Sequence, residues 1–179
     1  MSDVQNDTQI NFRDFFTEEE LGWNERADIA LVDVMTGAFS RNAYEILAPR
    51  QFEEIKRNDR DLSLVVIDLN DFKGINDSFG HAVADEMLKG FVKDLTTSIR
   101  KQDYLFRYGG DEFVILLHDI NAKTARQNLW PKIDFALKKN KLTAAIGVAG
   151  KVNDDTLETL FNRADKLMYD NKKFIKKKN

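Results

Sequence analysis

The stretch RYGGDEFVILL, residues 107–117, sets two glycines and two carboxylates at the mouth of an apolar run. Phe113 to Leu117 reads as a strand, and YLFRY (104–108), on the far side of Gly109 and Gly110, reads as its hairpin partner. Glycine adopts positive φ without strain and lets other groups approach the backbone, so the pair suits a tight turn, a phosphate cradle or both. Asp111 and Glu112 leave a parallel choice: an acidic hairpin tip, or a site for metal and phosphate. The rest of the chain has to decide.

Working outward, LSLVVIDL (62–69) is almost wholly apolar and rich in β-branched residues, the pattern of a central strand buried on both faces. Leu64 to Ile67 lead without interruption into Asp68. A carboxylate there is costly unless it is paired, solvated or bound to a cation. If this strand pairs with the hairpin, Asp68 and Asp111 converge at one edge of the sheet and can hold magnesium, although solvated acids at strand ends are commoner. The polar NDFKGINDSFGH (70–81) follows, and then a helix whose apolar stripe is Ala84, Met87, Leu88, Phe91, Val92 and Leu95. Another helix covers about 121–139, LTAAIGVA (142–149) is a second buried strand, and the last helix carries Leu157, Leu160, Phe161, Ala164, Leu167 and Met168 on one face. Upstream, Thr17 followed by Glu18, Glu19 and Glu20 opens a connector helix over 17–32, behind a loose lead-in over 1–16. Ser40 caps a helix through Ala43, Ile46 and Leu47 that is expected to break near Pro49 or shortly after it. This order predicts an α+β domain, a ferredoxin-like core with helices on a mixed, mostly antiparallel sheet.

Composition narrows the chemistry. The 179 residues suffice for one domain with an extension, and 42% hydrophobic against 32% charged residues describes a globular protein with a soluble surface. There is no cysteine, so thiolate metal sites are excluded, and only two histidines, His81 and His118, which argues against an imidazole-rich zinc site, so any metal should be a hard cation held by oxygen. The net charge of −3 argues against general nucleic-acid binding. No run reaches the roughly 20 apolar residues of a membrane span, and a cytoplasmic domain with no membrane partner is expected.

Taken together, the segments resemble the GGDEF family of diguanylate cyclases from about Asp33 to Lys176, which sets the expected catalytic domain at 33–179. The signature stands intact at Gly109 to Phe113, preceded by Arg107 and Tyr108. DVMTGAFSR (33–41) is similar to the motif that opens the family's domain, DLNDFKGINDSFGHAVAD (68–85) to its strand-end and helix motif, and AIGVA and ADKLMYDNKK to its last strand and helix. The resemblance implies a polymerase-palm-like βααββαβ fold. It implies that Asp68, the Leu69 carbonyl and Asp111 hold two Mg²⁺ or Mn²⁺ ions, with Glu112 as the neighbouring catalytic or electrostatic acid. It places Gly109, Gly110 and the N–H groups of Asp71, Phe72 and Lys73 against phosphates, together with Lys172 and Lys176. Asn76 and Asp85 take the place of base readers; a carboxylate accepts the N1–H and exocyclic amine of guanine, which adenine does not offer. Arg100 and Asp103 match an Arg-x-x-Asp inhibitory site for the product.

The match departs at several places: Asn70 stands for a second Asp, Ala84 for a Gly, Ser40 for an Asn, and Ile175-Lys176-Lys177 for Gly-Arg-Asn. Lys176 in place of an arginine loses bidentate phosphate contact. The expected activity is condensation of two GTP to cyclic di-GMP and two pyrophosphates across a homodimer, with product inhibition. A non-catalytic receptor for cyclic di-GMP, an interaction module and a different nucleotide cyclase are the alternatives.

Overall fold

All eight side chains of Leu62–Leu69 are buried, which a strand achieves only with neighbours on both edges and helices on both faces. In the computed structural model, which describes residues 31–178, this strand is indeed interior to a sheet. The expected lead-in (1–16) and residues 17–30 of the expected connector helix lie outside the described residues. In chain order the elements are β1 (Phe39–Ser40), α1 (Arg41–Arg57), β2 (Leu62–Leu69), α2 (Phe72–Phe79), α3 (His81–Ser98), β3 (Tyr104–Arg107), β4 (Glu112–His118), α4 (Ala122–Lys139), β5 (Ala144–Gly150) and α5 (Leu157–Lys178).

The sheet order is β1-β3-β4-β2-β5; β1 runs parallel to β3 and every other pair is antiparallel. Without the two-residue β1, this is the interleaved order of a ferredoxin-like core, as the sequence predicts. Alternation along β2 divides the core in two. Val65, Ile67 and Leu69 pack with Leu88, Phe91 and Leu95 of α3 and Leu129 and Ile133 of α4. Leu62, Leu64 and Val66 pack with Leu47, Phe52 and Ile55 of α1 and Leu160, Ala164 and Met168 of α5. Among the described residues no helix is long and apolar enough to cross a membrane.

Two local expectations are corrected. Pro49 does not end α1, which continues to Arg57. Proline in a helix interior costs about 3 kcal/mol, but Pro49 lies on the exposed side and the turns after it bury Phe52 and Ile55, each worth about 1.5–3 kcal/mol. The polar 70–81 segment holds α2, the first of the two successive helices in the implied βααββαβ order, entered through Asp71 in the left-handed conformation (φ 51, ψ 33) and left through Gly80 (φ 81). The last strand begins at Ala144 rather than Leu142, because the Leu142 N–H is spent on the Leu137 carbonyl that closes α4, past a left-handed Lys141.

Candidate functional site

Cross-strand register decides which acids meet. In the β2–β4 ladder Asp68 lies opposite Glu112, so these two side chains share a face, and on its other edge Asp68 lies opposite Ala145. Asp111, the residue before Glu112, comes to the same sheet end, where the Leu69 N–H donates to the Asp111 carbonyl at 3.0 Å. Leu69 itself is buried.

The hairpin tip has its own support. Tyr108 and Gly109 both donate their N–H groups to the Glu112 carbonyl, at 2.8 and 3.1 Å. Arg107 sends Nε and Nη2 to the Gly110 carbonyl (3.2 and 2.7 Å) and Nη1 to Asp33 Oδ1 at 2.9 Å. Asp33 also accepts the Thr36 N–H and hydroxyl, at 2.9 and 2.5 Å. Burial works to raise the Asp33 carboxyl, but these hydrogen bonds and the guanidinium charge prevail and hold it below the usual range. Neither Gly109 nor Gly110 has a φ in the left-handed region, so the turn-geometry reading of the pair is overturned. A Cβ on Gly109 would stand 2.5 Å from Glu112 Oε2, whereas one on Gly110 would meet nothing within 4 Å. A side chain at 109 would displace the Glu112 carboxylate from its present position.

From α5, Lys172 reaches down to Asp68 and donates to Oδ1 at 2.6 Å and Oδ2 at 2.7 Å. Asn171 anchors that turn by accepting the Ile146 N–H at 2.9 Å. Burial, then the charges of Asp68, Asp111 and Asp165, push the Glu112 carboxyl above its usual range, with Lys172 pulling the other way. At this end of β2 and β4 the charges of Asp68, Asp111 and Asp165 thus bear on Glu112, while the Lys172 ammonium sits on Asp68. Among the described residues no group of three or more His, Cys, Asp or Glu is arranged to hold a metal ion as it stands. In kind, however, the donor set fits a hard divalent cation: oxygens only, in surplus negative charge, with the Lys172 ammonium standing in as the cation on Asp68.

The other expected residues are distributed around this point. Asp71 begins α2, and its left-handed backbone followed by helical residues is the conformation that turns successive N–H groups of Asp71, Phe72 and Lys73 toward one side. Asn76 is already engaged, donating Nδ2 to the Phe72 carbonyl (3.1 Å) and lying 2.9 Å from His81 Nδ1 through Oδ1. Asp85 sits half-buried early in α3, beyond Gly80. Lys176 follows Lys172 by one helical turn and is exposed.

Arg100 and Asp103 lie at the opposite end of β4. The Asp103 side chain is 2% exposed; it accepts the Arg100 N–H (3.1 Å) and Nε (3.2 Å) on Oδ2 and the His118 N–H (3.1 Å) on Oδ1. Arg100 Nη2 donates to the His118 carbonyl at 2.6 Å. Beside them is a cleft of about 160 Å³ lined by Ser98, Arg100, Asp103, Asn128 and Lys132 among others. Sequence reasoning gave no role to Asp33, Asp165 or Asn171. Asp165 was discoverable, since its seven-residue spacing from Lys172 puts both on one helix face; the Asp33–Arg107 pair joins residues 74 positions apart and left no local signal.

A family model described as diguanylate cyclase, GGDEF domain, matches residues 30–178. Diguanylate cyclase DgcM of Escherichia coli (strain K12) is 36% identical over 144 residues, covering 76% of this chain and 35% of its own. Diguanylate cyclase DgcP of Pseudomonas aeruginosa is 34% identical over 151 residues, covering 78% of this chain and 22% of its own. The chain thus spans about a quarter to a third of the length of these curated relatives. A microbial GGDEF domain solved in a study of its interaction with cyclic di-GMP superposes with a TM-score of 0.74 at 30% identity, covering 80% of this chain and 93% of that one. The coiled coil and GGDEF domain of DgcB from Caulobacter crescentus, solved with c-di-GMP, reaches 0.77 at 21% identity over 87% and 86% of the two chains, a likeness of fold.

Proposed function

The chain belongs to the diguanylate cyclase GGDEF-domain family, and from that premise we propose that residues 33–179 condense two GTP molecules into cyclic di-GMP, releasing two pyrophosphates. The observation that carries this reading is the surplus of negative charge at one sheet end, where Asp68 faces Glu112 in register and Asp111 is bound to Leu69. Acids held this close at strand ends serve a cationic ligand better than they serve the fold.

Asp68, the Leu69 carbonyl and Asp111 would hold magnesium or manganese, two ions to a site. Bound there, such cations neutralise phosphate charge and favour the ionised ribose hydroxyl. The protein's own groups do the rest. The N–H groups of Asp71, Phe72 and Lys73 and the ammoniums of Lys172 and Lys176 hold the triphosphate, while Gly110 leaves the backbone open to it. Asp85 and Asn76 select guanine; an adenine would leave the Asp85 carboxylate without its two donors. Each step forms a bond between a ribose 3′-oxygen and the α-phosphorus of the other nucleotide, and breaks the bond from that phosphorus to the departing pyrophosphate. Glu112 shapes the field around the attacking oxygen. One domain offers one such pocket, so two domains face each other in a homodimer during the reaction.

Arg100 and Asp103 bind the product as an inhibitor. The half-exposed guanidinium and the adjacent Lys132 suit phosphate, and the cleft gives a base room to enter. The test is incubation with GTP or ATP and magnesium, with chromatography of the products. Cyclic di-GMP is expected from GTP alone, is abolished in Asp111→Ala, and is slowed by added product in the wild type but not in Arg100→Ala. Binding of cyclic di-GMP without turnover of GTP would instead support a receptor.

A further inference from the structure

Lys172 cannot serve Asp68 and a triphosphate at once. Its ammonium takes both carboxylate oxygens, at 2.6 and 2.7 Å, and so occupies the very atoms a divalent cation would need. The pair is sheltered, with side chains 29% and 11% exposed for Lys172 and Asp68, so it is screened much less than a surface pair. Its base is fixed: α5 crosses β5 directly over Gly147, where a Cβ would lie 2.0 Å from the Ala164 carbonyl oxygen, and Asn171 holds the Ile146 N–H. Its head is not, since a lysine carries its charge on four methylenes and swings to a new anion without moving the helix.

We propose that Lys172 makes cation binding conditional on nucleotide. While no triphosphate is present the ammonium holds Asp68 and keeps divalent cations off it. An arriving triphosphate draws the ammonium away, and the cation takes its place on Asp68. The exchange keeps a cation on Asp68: the ammonium leaves for the phosphate as a divalent ion arrives. Asp68 thus keeps a positive neighbour throughout, in a place where its charge, with those of Asp111 and Asp165, already bears on Glu112. Lys172 is thus a positioning residue that couples two ligands. This rests on reading Asp68 as a cation ligand, and the experiment separates the two ideas.

Mn²⁺ binding is followed by the relaxation enhancement of water protons, which rises when the ion is on the protein. The wild type, Lys172→Met, Lys172→Arg and Asp68→Asn are compared with and without a non-hydrolysable GTP analogue, with far-UV circular dichroism to check folding; Lys172→Gln replaces the methionine variant if that one does not fold. Without analogue, Lys172→Met should bind Mn²⁺ about tenfold or more tighter than the wild type, while Lys172→Arg, which keeps a cation on Asp68, should stay close to it. The analogue should tighten Mn²⁺ binding to the wild type strongly and to Lys172→Met little. Equal affinities of the wild type and Lys172→Met without analogue would overturn the coupling, and leave the cation site standing if Asp68→Asn weakens both. Mn²⁺ binding with analogue that Asp68→Asn does not alter would overturn the site assignment, and the coupling with it.

Discussion

The two ends of β4 carry acids in opposite circumstances. At the His118 end, Asp103 is buried and saturated, with both oxygens engaged by the Arg100 and His118 backbone N–H groups and by the Arg100 side chain. At the Glu112 end, Lys172 is bonded to Asp68 alone, and burial and the charges of Asp68, Asp111 and Asp165 push Glu112 above its usual range. One strand thus has a completed end and an unfinished one. A completed charge cluster stabilises the fold, and a ligand arriving there must displace bonds that already exist. An unfinished one costs the fold something and is relieved by whatever cation it receives.

The sharpest test exchanges the two. Asp68→Ala should lower cyclic di-GMP formation by about a thousandfold or more, as for loss of a group that stabilises transition-state charge, with little change in thermal midpoint. Asp103→Ala should do the reverse: loss of a saturated buried carboxylate costs about 2–4 kcal/mol, a fall of about 5–15 °C in midpoint by circular dichroism. A large loss of stability in the first variant, or none in the second, would erase the contrast.

A smaller effect comes from pH. His118 is buried, donates through Nε2 to Gln51 Oε1 (3.0 Å), and its Nδ1 is without a hydrogen-bond partner among the described residues. Burial holds its imidazole below the usual histidine value, partly opposed by the charges of Asp103, Asp119 and Glu54. The unfolded chain therefore takes up the proton first as pH falls through about 6.5, and stability present above that pH is lost on the way down. Thermal midpoints at pH 7.5 and 5.5 should show the fall, and His118→Phe should flatten it. Smallest of all, Glu112→Gln should raise the midpoint by about 1–2 °C at neutral pH in metal-free buffer. Since the folded protein binds that proton more readily than the unfolded chain, the gain should fade as pH drops into the ordinary glutamate range.

What the sequence disclosed follows the reach of its signals. The largely apolar character of 62–69, the helical stripe from Ala84 to Leu95 and the hairpin about Gly109 are local patterns dominated by burial, and each gave its element and its place in a ferredoxin-like sheet. The local pattern failed at Pro49, where burial of Phe52 and Ile55 carried α1 past it, while the α2 stretch reads as polar because it buries only Phe72. At the site, residue types were legible and pairings were not. Register alone sets Asp68 opposite Glu112 rather than Asp111, and no spacing along the chain announces that Lys172 rests on Asp68, 104 positions away.

Gly147 puts a dimension on that pairing. Because nothing larger than hydrogen fits between β5 and the Ala164–Met168 segment of α5, the helix rides at a fixed height above the sheet. The methyl added by Gly147→Ala would act as a shim, lifting the helix and stretching a charge contact several residues away. A substitution in an apolar layer would then be felt as altered ion affinity, which makes this crossing a thickness gauge for the chemistry at its edge.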